Sequence, residues 1–295
     1  MKRWTRYAIR IGGALLSLVL IAVGAVYAVS SSRLATEHVA SAHAFDAASG
    51  DVLEGEHLVA TYGCMDCHGE DLGGTLLVDG MPFARIPAPN LTSGRTDGGL
   101  TDEQWEVAVR HGIGTKGQAL IIMPSPEYVY LSDEDLAAIV AYVRTLPPVR
   151  DKLPTRAFGP VGRTLIALGK ASFAPDLMPA DARHLEAPEK APTREFGFYL
   201  TRLCTGCHGQ DLAGGPPMQP DAPAAPDLTR AGTLSSWSYE QFVSAMRTGV
   251  TPEGKTLDPQ FMPWTAIASA TDIELRAIWE YLSSVDGAGS LPATE

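Results

Sequence analysis

Cysteine is scarce in this chain of 295 residues, and none of its four lies outside two five-residue blocks. That removes two common uses of the residue. A structural zinc site draws its cysteine pairs from within a few tens of residues, whereas 136 residues separate Cys67 from Cys204. A thioredoxin-like dithiol sits in a βαβ frame, and strand signals are nearly absent around both blocks and along the rest of the chain. Basic residues are also few: 23 Lys and Arg stand against 34 Asp and Glu, a formal net charge of −11. Four of the basic residues fall in the first ten positions, which carry no acid, so residues 11–295 hold nineteen against 34, a formal −15. Such a field repels nucleic acid, which is excluded as a partner. No group of acids and bases recurs or stands beside either cysteine block, and no catalytic residue is nominated.

The blocks read Cys64-Met65-Asp66-Cys67-His68 and Cys204-Thr205-Gly206-Cys207-His208. Cys-x-x-Cys-His is the spacing of covalent c-type haem attachment. The two thiols each form a thioether to one porphyrin vinyl group, and the adjacent histidine, on the same helical turn, supplies a nitrogen to the iron. Two haem c groups are therefore expected. Two disulfides would satisfy the parity of four cysteines but leave both histidines unexplained. The acidity then reads in either of two ways. It complements a basic docking patch on a redox partner by steering encounter, or it serves only to keep an exported protein soluble.

Residues 1–10 form a basic tail with Lys2, Arg3, Arg6 and Arg10, and Ile11 to Val29 is an uncharged, mostly apolar run of nineteen residues. At about 1.5 Å per residue such a helix nearly crosses a bilayer core of roughly 30 Å. The basic flank stays cytoplasmic. The expectation is a single-pass protein of the bacterial inner membrane, anchored in lipid at 11–29, with its haem domains on the periplasmic side. A cleaved signal peptide is the alternative, since Val26-Tyr27-Ala28 resembles a small-residue cleavage site, although the apolar region is longer than usual.

An internal repeat extends well beyond the cysteine blocks. Residues 67–74, Cys-His-Gly-Glu-Asp-Leu-Gly-Gly, return at 207–214 as Cys-His-Gly-Gln-Asp-Leu-Ala-Gly. Pro89-Asn90-Leu91-Thr92 returns as Pro226-Asp227-Leu228-Thr229. Two helix starts follow, Thr101 with Gln104 and Ser238 with Gln241, each a capping box before an apolar stripe. Both helices end at Arg-x-Gly, Arg110 to Gly112 and Arg247 to Gly249, and Met123-Pro124 then matches Met262-Pro263. A closing helix follows in each copy: Leu136, Ile139, Val140 and Val143 share a face behind Ser132, and Leu275, Ile278, Trp279 and Leu282 share one behind Thr271. The predicted organisation is a stalk at 30–52, domains at 53–146 and 194–284, a linker at 147–193 and a tail at 285–295. The stalk is polar and flexible by composition, while eight prolines make the linker a semi-rigid spacer, with Leu165 to Leu168 as a short docked helix.

These residues resemble the class I cytochrome c fold in tandem: a haem helix with Cys-x-x-Cys-His, a methionine-proline loop some 55 residues later, and an amphipathic last helix. The resemblance covers 53–146 and 194–284 and implies an all-α protein of two such domains after a single N-terminal transmembrane helix. It also implies His68 with Met123 and His208 with Met262 as axial iron ligands. The implied function is electron transfer. The whole chain is similar to membrane-anchored dihaem cytochromes and to cytochrome subunits of periplasmic dehydrogenase or respiratory complexes, which share the Pro-Asn-Leu-Thr element. Those dehydrogenase subunits commonly carry three haems, and here the match is incomplete. A partner in a membrane complex is implied.

The methionines are also weighed on position. Met123 and Met262 lie 55 and 54 residues beyond their histidines, each before proline and the closing helix, while Met81 and Met218 lie only 13 and 10 beyond. Met178 is a further rival, and histidine ligation or an open sixth position remain as alternatives. An open iron belongs to the competing function, a dihaem peroxidase or thiosulfate-oxidising enzyme. Arg110 and Arg247 either pair with haem propionates or end their helices in solvent. His111 is read as a cation near a helix C-terminus. His38, His43, His57 and His184 are given no chemistry.

Overall fold

A computed structural model of the chain describes residues 2–150, 152–180, 182–217 and 222–286. The first element, α1 (Lys2–Leu34), is one helix of 33 residues. Its apolar window has a mean hydropathy of 2.3 and none of it is buried among the described residues. It is the one helix among the described residues long and apolar enough to cross a membrane.

The first repeat then folds as α2 (Val52–Thr61), α3 (Cys64–His68), a hairpin of β1 (Thr75–Gly80) and β2 (Ala84–Ala88), α4 (Asp102–His111), the helical turn α5 (Ser125–Tyr128) and α6 (Asp133–Thr145). Between the repeats lie β3 (Ala157–Phe158) and α7 (Pro160–Ala167). The second repeat follows as α8 (Arg194–Thr201), α9 (Thr205–His208), α10 (Tyr239–Thr248), α11 (Trp264–Ile267) and α12 (Asp272–Leu282). The expected capping boxes open α4 and α10, the box that Thr271 and Glu274 imply opens α12, and Gly112 and Gly249 close α4 and α10 with φ of 66° and 68°. Glycine there takes the left-handed conformation without a Cβ penalty.

Each repeat buries the stripe read from its closing helix. Leu136, Ile139, Val140 and Val143 meet Leu58, Val59, Trp105 and Val109 in one core, and Leu275 and Leu282 meet Leu212, Leu234, Phe242 and Met246 in another. Helix α2 crosses α6 and α8 crosses α12 at matched glycines. A Cβ on Gly55 would lie 2.0 Å from the Ala138 carbonyl oxygen, and one on Gly197 would lie 2.0 Å from that of Ala277. The bare backbone is what lets the helices approach.

Two departures from the sequence reading have physical causes. The chain is mainly helical, but β1, β2 and β3 form an antiparallel three-stranded sheet, so the all-α expectation needs this correction. Its strands are short, two of them carry little alternation, and β3 comes from the inter-repeat segment, a partner that local pattern cannot reveal. Residues 35–50, expected to be a flexible stalk, are tied to the first repeat instead. The His38 N–H donates to the Gly117 carbonyl at 2.9 Å, and Ala47 is buried in the first core beside Phe45. Helix α7 does dock as the Leu165–Leu168 stretch implied, with Ile166 buried against Ala119 and Phe173. It also holds the end of α1: Arg163 donates to Ser30 and Ser31 hydroxyls and stacks over Tyr27.

Candidate haem-binding sites

The two attachment blocks start from the same local geometry. Each histidine sits at the end of its short helix and is buried, His68 at 8% and His208 at 5% exposure. The glycine after it, Gly69 or Gly209, has φ near 80° and turns the chain back at once. Leu72 and Leu212 then take positive φ, 52° and 59°, an uncommon state for leucine that recurs at the same step of both repeats. The Gly74 and Gly214 N–H groups donate back to the His68 and His208 carbonyls at 2.8 and 2.9 Å. The loop is therefore closed over the histidine.

What the loop delivers is a carbonyl. His68 Nδ1 lies 2.7 Å from the Pro89 oxygen and His208 Nδ1 lies 2.8 Å from the Pro226 oxygen. A carbonyl can only accept, so Nδ1 carries the proton and Nε2 is left with its lone pair. Burial lowers both imidazole pKa values, outweighing the Pro carbonyls, which raise them. Each ring is thus a neutral, oriented nitrogen donor, the arrangement that fixes a metal-ligating histidine. The repeated Pro-Asn-Leu-Thr and Pro-Asp-Leu-Thr elements owe their recurrence here to this task. Their leucine N–H groups donate to Leu72 and Leu212, and Asn90 and Asp227 side chains accept from Thr92 and Thr229, pinning the proline carbonyls in place. Sequence reading found the repeat of these elements but not their role.

No disulfide joins any two of the four cysteines. Burial pushes Cys64 up to about 12 and Cys204 up to about 11. Met123 packs against the same core as Cys64, and Met262 against the same core as Cys204. The rival Met81 is 57% exposed on the hairpin, and Met218 lies outside the described residues. Two thiols, one lone-pair imidazole nitrogen and one thioether in each repeat are a donor set that fits a covalently held haem, and the first cysteine and the methionine of each set pack on one core.

The paired arginines have a different role from either one expected. Arg110 is buried and donates to the Leu131 carbonyl and Asp133 Oδ1, while Arg247 donates to the Ala268 and Ala270 carbonyls and Asp272 Oδ1. Both fasten the end of one helix to the first turn of the closing helix. His111 at the end of α4 meets the buried Glu106 carboxylate at 3.2 Å.

The cytochrome c family profile matches the chain twice, at residues 52–147 and 197–286. This chain belongs to the cytochrome c family. The cytochrome is 28% identical over 237 residues to the cytochrome c subunit of the alcohol dehydrogenase (quinone) of Gluconobacter oxydans, covering 71% of this chain and 49% of that protein. It is 30% identical over 170 residues to the gluconate 2-dehydrogenase cytochrome c subunit of Pantoea cypripedii, covering 53% and 37%. A diheme cytochrome c-type protein of Cereibacter sphaeroides matches at 26% over 269 residues, covering 82% and 88%. The cytochrome spans half or less of the length of the two dehydrogenase subunits and most of the diheme protein.

Within this cytochrome the two attachment blocks face a shared interface built from equivalent positions. His57 on α2 reaches Glu274, the third residue of α12, at 2.9 Å. Tyr199 on α8, two residues after Gly197 as His57 is two after Gly55, donates to Asp135, the third residue of α6, at 2.6 Å. Helical turn α5 packs on α9, with Glu127 against Gly206, and α11 packs near α2, with Ala266 beside Gly63. The turn that follows each methionine thus lies against the other repeat, α5 on the second Cys-x-x-Cys-His block and α11 at the glycine just before the first. Arg202, buried and stacked over Phe198 and Tyr130, completes the seam.

Proposed function

We propose that this cytochrome relays single electrons between two haem c groups held in tandem class I domains, 53–146 and 194–284, joined by the 147–193 segment. Cys64 and Cys67 would hold the first haem by thioethers, with His68 and Met123 as its iron ligands. Cys204 and Cys207 would hold the second, with His208 and Met262 as its iron ligands. Bound haem c supplies one-electron chemistry at iron. The observation that carries the reading is the paired hydrogen bond from His68 and His208 to a proline carbonyl, which presents a fixed lone pair in both repeats. Methionine sulfur keeps the sixth position closed, so the chain passes electrons without binding substrate. The reciprocal seam holds the haem helices at a constant separation. Helix α1 anchors the protein in a membrane through residues 11–29, with both haem domains on the periplasmic side. Similarity to dehydrogenase cytochrome subunits supports service as a carrier or as a subunit of such a complex, taking electrons from or giving them to a partner with a basic docking patch.

The test is ligand replacement. Alkaline pyridine spectra of the purified full-length protein are expected to give two c-type haems per chain, and Met123→Ala or Met262→Ala is expected to remove about half of the thioether-to-iron charge-transfer band and open one iron to carbon monoxide. Wild-type protein is expected to bind carbon monoxide poorly. Fast binding by the unaltered protein at one haem replaces the carrier reading by the peroxidase-like one.

A further inference from the structure

Three segments distant in sequence converge on a cluster that includes no haem-binding residue. His43 comes from the segment after α1, Asp133 from the first turn of α6, and His184 from the segment before α8. One ligand atom from each lies within 4.8 Å of the other two. His43 Nε2 is 2.9 Å from Asp133 Oδ2, and the His43 and His184 rings sit 4.2 Å apart, centroid to centroid. The carboxylate is oriented from behind, because its other oxygen accepts from buried Arg110 at 2.8 Å. Arg110 also lies near the buried carboxylate of Glu106, whose Oε2 has no hydrogen-bond partner. Two carboxylates and one guanidinium leave the neighbourhood one unit negative, which offsets the unfavourable positive end of α6 for a bound cation.

We propose that His43, Asp133 and His184 bind one divalent transition-metal ion of the borderline class, for which Zn2+ is the redox-inert representative. Two imidazoles and a carboxylate suit such ions, with water filling the remaining position. Bonds of about 2.0–2.1 Å place two donors of a tetrahedral site roughly 3.3 Å apart. The cluster closes to that spacing by side-chain rotation, since His43 is half exposed and His184 only partly buried. Binding replaces the His43–Asp133 hydrogen bond with two bonds to the ion: the proton that Nε2 shares with the carboxylate leaves for solvent, and the neutral His43 ring carries its one N–H on Nδ1 while Nε2 ligates. The ion clips residues 35–46 and the inter-repeat segment to the start of α6, next to Ser132 and Asp135, which both meet Tyr199 of the second repeat.

The experiment is equilibrium dialysis of the haem-loaded full chain in detergent against micromolar Zn2+, after chelator treatment, with zinc counted against iron by mass spectrometry. One zinc per chain is expected. His43→Ala and His184→Ala are each expected to weaken it by about tenfold or more, at least the loss seen when a mere supporting partner of a ligand is removed. His38→Ala, in the same segment as His43, retains binding. Zinc also slows proteolysis of residues 35–46 in the wild type and not in either variant. No saturable zinc, or zinc that persists undiminished in both histidine variants, overturns the proposal. Haem spectra stay unchanged in all variants, so failure here leaves the electron-transfer reading untouched.

Discussion

Glu127 has the most consequential single environment in the molecule. It lies against Gly206, inside the second attachment block, and burial pushes its carboxyl up to about 7 against a smaller opposing backbone hydrogen bond. Asp66, Tyr62, Tyr128, Tyr199 and Arg202 surround the same seam, and among these carboxyls Glu127 is the one brought near neutrality. An ionised carboxylate beside Cys207 favours ferric over ferrous iron. As pH rises through about 7 the charge appears, and the potential of the second haem is expected to fall, by at most about 59 mV per pH unit for one proton per electron. Reduction correspondingly draws a proton to Glu127. Redox titration at pH 5.5 to 8.5 checks this: Glu127→Gln should flatten the slope at the second haem and leave the first nearly unchanged, and an equal slope in both proteins would refute it. Nothing at position 127 announced this in the sequence. The residues proposed to bind haem stand out because covalent attachment demands a fixed spacing, whereas the pKa of Glu127 depends on a surface supplied 79 residues later by Gly206.

At the scale of elements, the helix pairs α2 with α6 and α8 with α12 are the frame on which both sites hang. Their apolar stripes could be read from periodicity alone, because burial of one face demands a 3.6-residue repeat. The glycines at their crossings could not, since Gly55 and Gly197 look like ordinary breaks in helix propensity until the facing Ala138 and Ala277 carbonyls are seen 2.0 Å from where a Cβ would stand. Alanine at an unpacked helical site gains up to about 1 kcal/mol over glycine. Here overpacking against backbone is expected to dominate, so Gly55→Ala and Gly197→Ala should each destabilise their repeat by about 1–3 kcal/mol. Urea unfolding with an unchanged m-value measures it; a stabilised variant at either position would show that the helices are free to separate. The sheet is the converse case. Its strands were missed because the third comes from outside the repeat, so no local alternation encoded the whole.

At the scale of the whole molecule the seam decides whether the repeats act as two beads or as one body, and its chemistry is asymmetric although its geometry is not. Tyr199 to Asp135 is a bond from a neutral hydroxyl, while His57 to Glu274 gains an ion pair when the imidazole is charged. The hydrogen bond to Glu274 raises His57 above its ordinary 6.5, with burial opposing. For Glu274 burial is the largest influence and pushes up, but the bonds from His57 and Thr271 together bring it below its ordinary 4.5. The signs follow by linkage. A raised histidine contributes stability in full below 6.5 and loses it as pH rises through its folded value. A lowered carboxyl contributes above 4.5 and loses it as pH falls through its folded value. Docking through this pair is therefore strongest between about 4.5 and 6.5 and weakens on the alkaline side, while Asp135, which burial pushes above 3.8 despite the Tyr199 bond, changes stability only on the acid side. Lys190 and Glu54 also face His57 with opposite signs, so they moderate rather than reverse the effect. Comparing wild type with His57→Gln isolates the pair. The difference in urea midpoint should be largest near pH 5.5 and shrink by pH 8.5, whereas a difference that stays constant from pH 5 to 9 would mean that His57 acts through packing alone.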